Sequence, residues 1–424
     1  MKIGIIGGSG LDDPQILKEA KVKKVDTPYG EPSALLLCGV IDGVEVVILA
    51  RHGLKHEIPP SQVNYRANLW ALKNEGCDCV LATTAVGSLR QEIKPGDLVF
   101  PSQFIDFTKN RISTFFTDQV EHTPMAKPFA ENLRVVLAQV SEKLSIAYHT
   151  DKTVITIEGP RFSSRAESLM FRTWGADIIN MSTCPEVILA NELKLPYQAI
   201  AMSTDYDCWL ETEESVNFEI VLQRMAANAD KVKQLLIGVI TILNLTAKNS
   251  QIKKLIRTIP NWPKPGVMFR DITTVLKDRA AFKQCVDDLT ERYQNQEIDM
   301  VVGIEARGFI LGSALAYALG KGFVPARKRG KLPSLTQEAV YEKEYGQDSI
   351  EIHQDAILQG QKILVVDDLL ATGGTALATA QLVQRLGGQI VELAFMVDLP
   401  DLGGSLKLQQ AGLKIYIQTS FAGK

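Results

Sequence analysis

Cysteine is scarce in this chain: six residues in 424, at positions 38, 77, 79, 184, 208 and 285. That is too sparse for a disulfide framework. Cys77 and Cys79 form the one close pair, and no second pair or histidine cluster completes a zinc site, so the six read as ordinary reduced core thiols. An excess of charge is missing as well. With 46 Lys+Arg against 49 Asp+Glu the net charge is −3, whereas a dedicated nucleic-acid binder normally carries a basic face. Local clusters can still hold a small anion. The longest apolar stretch, Leu235 to Leu245, falls short of the ~20 residues a membrane span needs. The start, MKIGIIGGSGLDD, has too short an apolar run and too early an acidic pair for a signal peptide, so a soluble, cytoplasmic protein is expected. No segment repeats at a period of 20–50 residues, and no tract is of low complexity.

What is present is ordinary globular composition, 46% hydrophobic and 22% charged, in a length that predicts two or three domains. The clearest seam is LTAKNSQIKKL, Leu245 to Leu255. An amphipathic pattern over roughly Val221 to Leu243 runs out there into polar residues, and Pro260, Pro263 and Pro265 follow. A boundary near residue 250 is expected, with domains over 1–248 and 252–424. Both halves alternate short apolar, β-branched runs with stretches of helical spacing. The strands are expected at Ile3–Ile6, Glu45–Ala50, Cys79–Thr83, Val154–Ile157, Gln198–Met202, Met300–Ile304 and Ile363–Val366. Tyr65–Glu75, Pro185–Leu193 and Thr375–Arg385 read as helices. That is α/β architecture twice over, with ligands expected at the carboxyl ends of the strands.

The sharpest chemical signal is ILVVDDLLATGGT, Ile363 to Thr375. A buried strand ends in Asp367 and Asp368, and a loop of small residues leads into a helix. Backbone N–H groups from Ala371 through Thr372, Gly373, Gly374 and Thr375 suit a phosphate at a helix N-terminus. Two adjacent carboxylates beside a phosphate make sense when they face hydroxyls or a cation, and a ribose 5-phosphate fits, with both acids accepting from its 2′- and 3′-hydroxyls. A strand running into a capped helix would need one acid and not the whole run.

This stretch resembles the type I phosphoribosyltransferase family. PGVMFRDIT (265–273), GIEARGF (303–309), RKRGKLP (327–333) and YEKEYG (341–346) narrow the likeness to its adenine phosphoribosyltransferases, over 252–424. The resemblance implies a mainly parallel sheet, with Met268, Phe269 and Arg270 framing adenine and Arg307 at the base or pyrophosphate. It puts Arg327, Lys328 and Lys331 on the pyrophosphate of phosphoribosyl pyrophosphate, and Glu344 and Tyr345 on a mobile loop. Glu344 would be the general base for adenine N9 or a stabiliser of the cationic ribosyl centre. Mg²⁺ would arrive with the pyrophosphate, not in a protein cage.

In the first half, GIIGGSG (4–10) suggests a dinucleotide fingerprint but fails its spacing: counted from Gly8, Asp13 stands where the third glycine belongs, and no Walker lysine follows. LARHG (49–53), TTAVGSL (83–89), IEGPRFSSRAE (157–167), INMSTCPE (179–186) and MSTDYDCW (202–209) complete a set that resembles the trimeric purine nucleoside phosphorylase family. The match is especially close to the S-methyl-5′-thioadenosine phosphorylases, over about 1–245. It implies an α/β domain with a central mixed sheet. Ser9, Arg51, His52, Thr84, Ala85 and Ser182 would bind inorganic phosphate. Phe162 would lie near the purine and Met181 under the ribose, with Asp205 and Asp207 facing the base. Val216 and Phe218 would wall the methylthio group, and His122 would reach a neighbouring subunit's 5′ pocket. Asp205 is the natural general acid for purine N7, which needs a carboxyl held above its usual pKa.

Together the resemblances imply adenine salvage in two steps, by a homo-oligomer, trimer or hexamer, without an organic cofactor. Two rivals stand beside this reading. The first half would act on 6-oxopurine nucleosides or methylthioinosine, against which Asp205 and Asp207 argue. The second would only sense phosphoribosyl pyrophosphate.

Overall fold

The computed structural model describes residues 1–7, 17–210, 218–342 and 347–422. Clustering of contacts divides the chain into two compact units, Met1–Leu245 and Thr246–Lys424.

The first unit opens with β1 (Lys2–Gly7), β2 (Lys18–Lys23), β3 (Leu36–Ile41) and β4 (Val44–Ala50), then α1 (Tyr65–Asn74) and β5 (Cys79–Ser88). After β6 (Leu98–Phe100) and β7 (Gln103–Phe107) come α2 (Glu131–Lys143), β8 (Tyr148–Thr150), β9 (Thr153–Ile157) and α3 (Arg165–Thr173). β10 (Ile178–Asn180), α4 (Thr183–Glu192), β11 (Tyr197–Asp205) and α5 (Phe218–Leu255) follow. The strands form one mixed sheet along the path β2-β3-β4-β1-β5-β10-β9-β7, with β11 paired to both β5 and β6. β1 is parallel to β4 and β5, and β5 is parallel to β11, so their carboxyl ends point the same way. β10 runs antiparallel to β5, which carries the start of α4 into that neighbourhood. These central strands are buried almost throughout, which is why they read as continuous apolar runs and not as alternation. The edge strand β2 is exposed along its length and carries Lys18, Lys21 and Lys23, a charged edge that discourages strand addition.

Helix α5 differs from expectation. The polar LTAKNSQ run does not end it, because Lys, Asn, Ser and Gln are tolerated in helices and Ile252 has a core to enter. By length and composition Asn228–Leu255 could cross a membrane. Its apolar residues Val232, Leu235, Leu236, Val239, Ile240 and Leu243 instead fill the first unit's core.

In the second unit β12 (Arg257–Pro260) and β13 (Met268–Asp271) make an antiparallel pair. There follow α6 (Thr273–Leu276), α7 (Arg279–Tyr293), β14 (Met300–Ile304), α8 (Gly308–Leu319), β15 (Gly322–Lys328), β16 (Thr336–Glu342) and β17 (Gln347–His353). β18 (Lys362–Leu370), α9 (Gly374–Arg385), β19 (Gln389–Asp398), α10 (Gly404–Gln410) and β20 (Ile415–Ser420) complete it. The sheet order is β16-β17-β15-β14-β18-β19-β20, parallel from β15 to β20 and antiparallel at β16 and β17. Both expected sheets are present, one mixed and one mainly parallel.

Candidate functional site

In the first unit the carboxyl ends of β4, β5 and β11 and the start of α4 surround a cavity of about 460 Å³. Its lining includes Arg51, His52, Thr84, Ala85 and Ser182, all expected at a phosphate. The Arg51 N–H donates to Gly7 O at 3.0 Å, tying this corner to the end of β1. The Arg51 side chain is 2% exposed, and its Nε and Nη2 donate to the two carboxylate oxygens of Glu186 at 2.5 and 2.9 Å. Nη1 donates to Thr83 O at 2.8 Å. Glu186, fully buried on α4, also accepts from the Tyr197 hydroxyl at 2.8 Å. Burial alone would drive the guanidinium towards neutrality. The Glu186 carboxylate more than offsets this, so Arg51 stays charged, with its pKa above the ordinary value.

His52 behaves differently. Burial first, then the Arg51 charge, pushes its pKa down to about 4, so it is neutral at pH 7. Its Nδ1 lies 2.9 Å from Ile58 O. A neutral ring donates there through Nδ1–H, which leaves Nε2 as an acceptor. His52 therefore offers an anion site a place for a proton, not a charge. Thr84 Oγ1 and Ser182 Oγ are 2.8 Å apart.

The lining also includes Phe162, Met181, Asp205 and Asp207. Asp205 closes β11; its Oδ1 accepts the Asp207 N–H at 2.7 Å and its Oδ2 the Thr204 hydroxyl at 2.6 Å. Burial, and beyond it the Asp205 charge, raises the Asp207 carboxyl above the usual range. The turn is held against β5: Trp209 Nε1 donates to Ser88 O at 2.8 Å, and the Arg172 guanidinium lies 3.6 Å from the centre of the Trp209 ring. Phe162 is 42% exposed. Met181 packs against Gly159, whose φ of +67° and lack of Cβ are both needed, since a Cβ would fall 2.6 Å from the Met181 sulfur. Part of the FSSRAE run serves local structure: Ser164 and Glu167 form a capping box on α3.

His122 is exposed, in a stretch without regular structure, and does not line the cavity. Ser9 and Val216 lie outside the described residues, and Phe218 opens α5 with its side chain outside them. Two participants were missed by sequence reasoning. Glu186 stood in the quoted motif without a role. Arg111 carries no sequence signal, yet its side chain is 2% exposed and donates to Met181 O and Cys184 O at 2.7 Å each, to Tyr65 OH at 3.0 Å and to Glu158 O at 2.5 Å. It stitches the floor beneath Met181 to β9 and α4. The six cysteines are unpaired, and burial pushes the Cys77 and Cys79 thiols up to about 12, as inert core residues.

In the second unit β18 runs on through Leu370, so Asp367 and Asp368 lie inside the strand, near its end. Both carboxyls sit above the usual range, Asp367 through burial and the Asp368 charge, Asp368 through burial. Asp367 Oδ1 accepts the Asp368 N–H at 2.9 Å, and Arg307 Nε stands 3.0 Å from Asp368 Oδ2. The turn Ala371–Thr372–Gly373 leads into α9 at Gly374 and Thr375. Gly373, with φ +74°, is its N-cap, so neither acid caps the helix. A Cβ on Gly373 would meet Gly404 O at 3.0 Å.

Met268 and Phe269 lie on β13, with Arg307 5.3 Å from the Phe269 ring centre. The Arg270 guanidinium instead bonds to Thr258 Oγ1 and lies 4.4 Å from the centre of the Phe421 ring. Arg327 pairs with Glu305 at 3.2 Å, and Glu351 accepts the Lys331 and Leu332 N–H groups at 3.0 Å each, shaping the basic turn that carries Lys328. Glu344 and Tyr345 lie outside the described residues. Among those residues no three His, Cys, Asp or Glu side chains converge as a metal cage.

The phosphorylase superfamily model matches residues 2–241. The chain belongs to that superfamily. A phosphoribosyl transferase domain model matches residues 273–408. Curated relatives of the first half are named S-methyl-5′-thioadenosine phosphorylase. That of Danio rerio is 56% identical over 246 residues, 57% of this chain and 88% of the relative, and that of Drosophila melanogaster is 54% identical, covering 85% of the relative. Among solved structures, methylthioadenosine phosphorylase from Schistosoma mansoni in complex with adenine is 42% identical with a TM-score of 0.56, over 57% of this chain and 92% of that one. A mutant of the same organism's adenosine/methylthioadenosine phosphorylase, in complex with methylthioadenosine, is 41% identical with a TM-score of 0.55, over 57% and 92%.

Proposed function

We propose that the chain carries two activities. The first unit cleaves S-methyl-5′-thioadenosine with phosphate to adenine and 5-methylthioribose 1-phosphate. The second joins adenine to phosphoribosyl pyrophosphate, giving AMP and pyrophosphate. For the first step the supporting observation is one cavity lined by Arg51, Thr84 and Ser182 together with Asp205 and Asp207. Phosphate attacks C1′ as the bond to N9 breaks and negative charge grows on the purine. Asp207, whose carboxyl is raised, and Asp205, hydrogen-bonded to its N–H, are the groups to hold a proton there. Neutral His52 can accept the hydrogen of monohydrogen phosphate at Nε2, while Arg51, fixed by Glu186, supplies the charge.

For the second step the acids Asp367 and Asp368 face the ribose hydroxyls. The turn 371–375 takes the 5-phosphate, and Arg327, Lys328 and Lys331 take the pyrophosphate. Mg²⁺ carried by the pyrophosphate would neutralise it as it leaves. Glu344 is the proposed base for N9. Consumption of adenine draws the first reaction forward by mass action. The Schistosoma mansoni relative named for adenosine as well favours adenosine as a second nucleoside substrate.

The test is one mixture of methylthioadenosine, phosphate, phosphoribosyl pyrophosphate and Mg²⁺, with AMP followed. Omitting phosphate should stop everything, and omitting phosphoribosyl pyrophosphate should stop the reaction at adenine. Asp205→Asn should remove the first step alone and Glu344→Gln the second alone. AMP formation from methylthioadenosine without phosphate would overturn the proposal.

A further inference from the structure

The hydroxyls lining the first cavity are wired to one another, and the wiring has a direction. Asn180, the last residue of β10, is 5% exposed and stands opposite Thr156 of β9 in the strand register. The Cys184 N–H, a group that can only donate, reaches Thr156 Oγ1 at 3.2 Å. The single hydrogen of Thr156 then goes to Asn180 Oδ1 at 2.9 Å. Turning the amide over would set a second donor on Thr156 and leave that hydrogen without this acceptor. The amide orientation thus follows from the backbone N–H of Cys184, four residues on at the start of α4. Asn180 Nδ2 consequently faces Thr84 Oγ1 at 3.2 Å and Thr183 Oγ1 at 2.7 Å, donating to both.

Thr84, with a donor placed on its oxygen, has two acceptors in reach for its own hydrogen: Ser182 Oγ at 2.8 Å and Ala85 O at 3.2 Å. The nearer choice fills a lone pair on Ser182 and leaves the Ser182 hydrogen for the cavity. The other polarity, Ser182 to Thr84 to Ala85, turns a Ser182 lone pair towards any anion that enters. An anion accepting from Ser182 strengthens each bond behind it, because successive hydrogen bonds in a dry site polarise one another.

We propose that Thr156 and Asn180 are positioning residues that set hydroxyl polarity in the phosphate site, so that Thr84 donates to Ser182 and Ser182 presents a hydrogen, not a lone pair, to inorganic phosphate. This rests on the reading of the first unit as a phosphorylase. Thr156 is fully buried and does not line the cavity, and Asn180, which does, spends its amide on Thr84 and Thr183, so the effect is expected on phosphate and not on the nucleoside.

Steady-state kinetics separate the two. Thr156→Val, which keeps the shape and removes the relay's hydroxyl, is expected to raise the KM for phosphate about tenfold, the loss of one charge-assisted hydrogen bond. The KM for methylthioadenosine should stay within about twofold. Thr156→Ser restores the hydroxyl and should recover the phosphate KM. Asn180→Ser, too short to bridge, should match Thr156→Val, and the double variant should be no worse than either single one, because both cut one chain. Equal phosphate KM values for Thr156→Val and Thr156→Ser, a parallel rise in both substrates' KM, or additive losses in the double variant would each overturn the relay. Should the wild-type protein turn over no purine nucleoside, the phosphorylase reading fails by itself. Calorimetric titration with inorganic phosphate then decides the relay alone, with weaker binding by Thr156→Val expected and equal binding refuting it.

Discussion

Glu186 is the acid that holds Arg51 against the first cavity, and its removal has a calculable cost. In Glu186→Ala the Arg51 guanidinium, 2% exposed, loses both carboxylate oxygens and keeps the Thr83 carbonyl alone, while Tyr197 loses the acceptor for its buried hydroxyl. Breaking a buried pair by deleting one partner typically costs about 3–5 kcal/mol, because the remaining charge is left uncompensated. Against a total stability of about 5–15 kcal/mol that is a large fraction. For a unit ending at Leu245, with an unfolding entropy of about 0.5 kcal/mol/K, the midpoint should fall by about 6–10 °C. Tyr197→Phe leaves the ion pair intact and should cost about 1.5–3 kcal/mol, the range for a hydrogen bond to a charged group. The two losses should not add in the double variant, since both act through one carboxylate. Differential scanning calorimetry reads all three, and the KM for phosphate should rise by tenfold or more in Glu186→Ala as Arg51 loses its fixed direction. A midpoint for Glu186→Ala within 2 °C of wild type would refute the reasoning, because it would mean that solvent or another group already compensates Arg51.

His52 gives the stability of the first unit a pH dependence of known sign. Its pKa falls from 6.5 to about 4 on folding, so between those values the unfolded chain binds the extra proton and stability declines as pH drops. A change of that size is worth about 3 kcal/mol, and His52→Gln should flatten the decline in midpoint between pH 7 and pH 4.5. Arg111→Lys keeps the charge but not the fork that meets five carbonyl and hydroxyl oxygens. The KM for methylthioadenosine should rise at least tenfold in initial-rate assays while AMP formation from added adenine stays unchanged. In the second unit the Phe421 ring has Lys253 and Arg270 at 4.9 and 4.4 Å from its centre, so Phe421→Ala should loosen the Arg270 side chain, which keeps its bond to Thr258 Oγ1. It should raise the KM for adenine several-fold with phosphoribosyl pyrophosphate little affected, checked by following AMP at varied adenine.

Much of the architecture was legible because its strands are buried on both faces. Ile3–Ile6, Cys79–Thr83 and Met300–Ile304 are runs of apolar residues that have nowhere else to go, and each is a strand within a few residues of the expected bounds. The α5 stretch was misread for the opposite reason. Polar residues on a helix say only that a face meets water, and Ile252 becomes a helical core residue through what packs around it. Most motif residues of the first site, Arg51, Thr84, Ser182, Asp205 and Asp207, do converge on one cavity. Glu186 was in view without a role, since pairing across 135 positions leaves no local pattern. The same holds for Arg111, whose partners lie 46 to 73 residues away.

The sequence alone determined the α/β class and the kinds of group available: hydroxyls, a few arginines, and acids at strand ends. These follow from composition and short-range periodicity, which act through neighbours along the chain. Tertiary structure decided which of those groups are charged, which way they point and what holds them. Arg51 is charged because Glu186 is beside it, His52 is neutral because it is buried near Arg51, and Arg270 is turned towards Phe421 and not Phe269. Charge state and direction depend on burial and on distances of a few ångströms between residues far apart in the chain, and only the folded arrangement sets those.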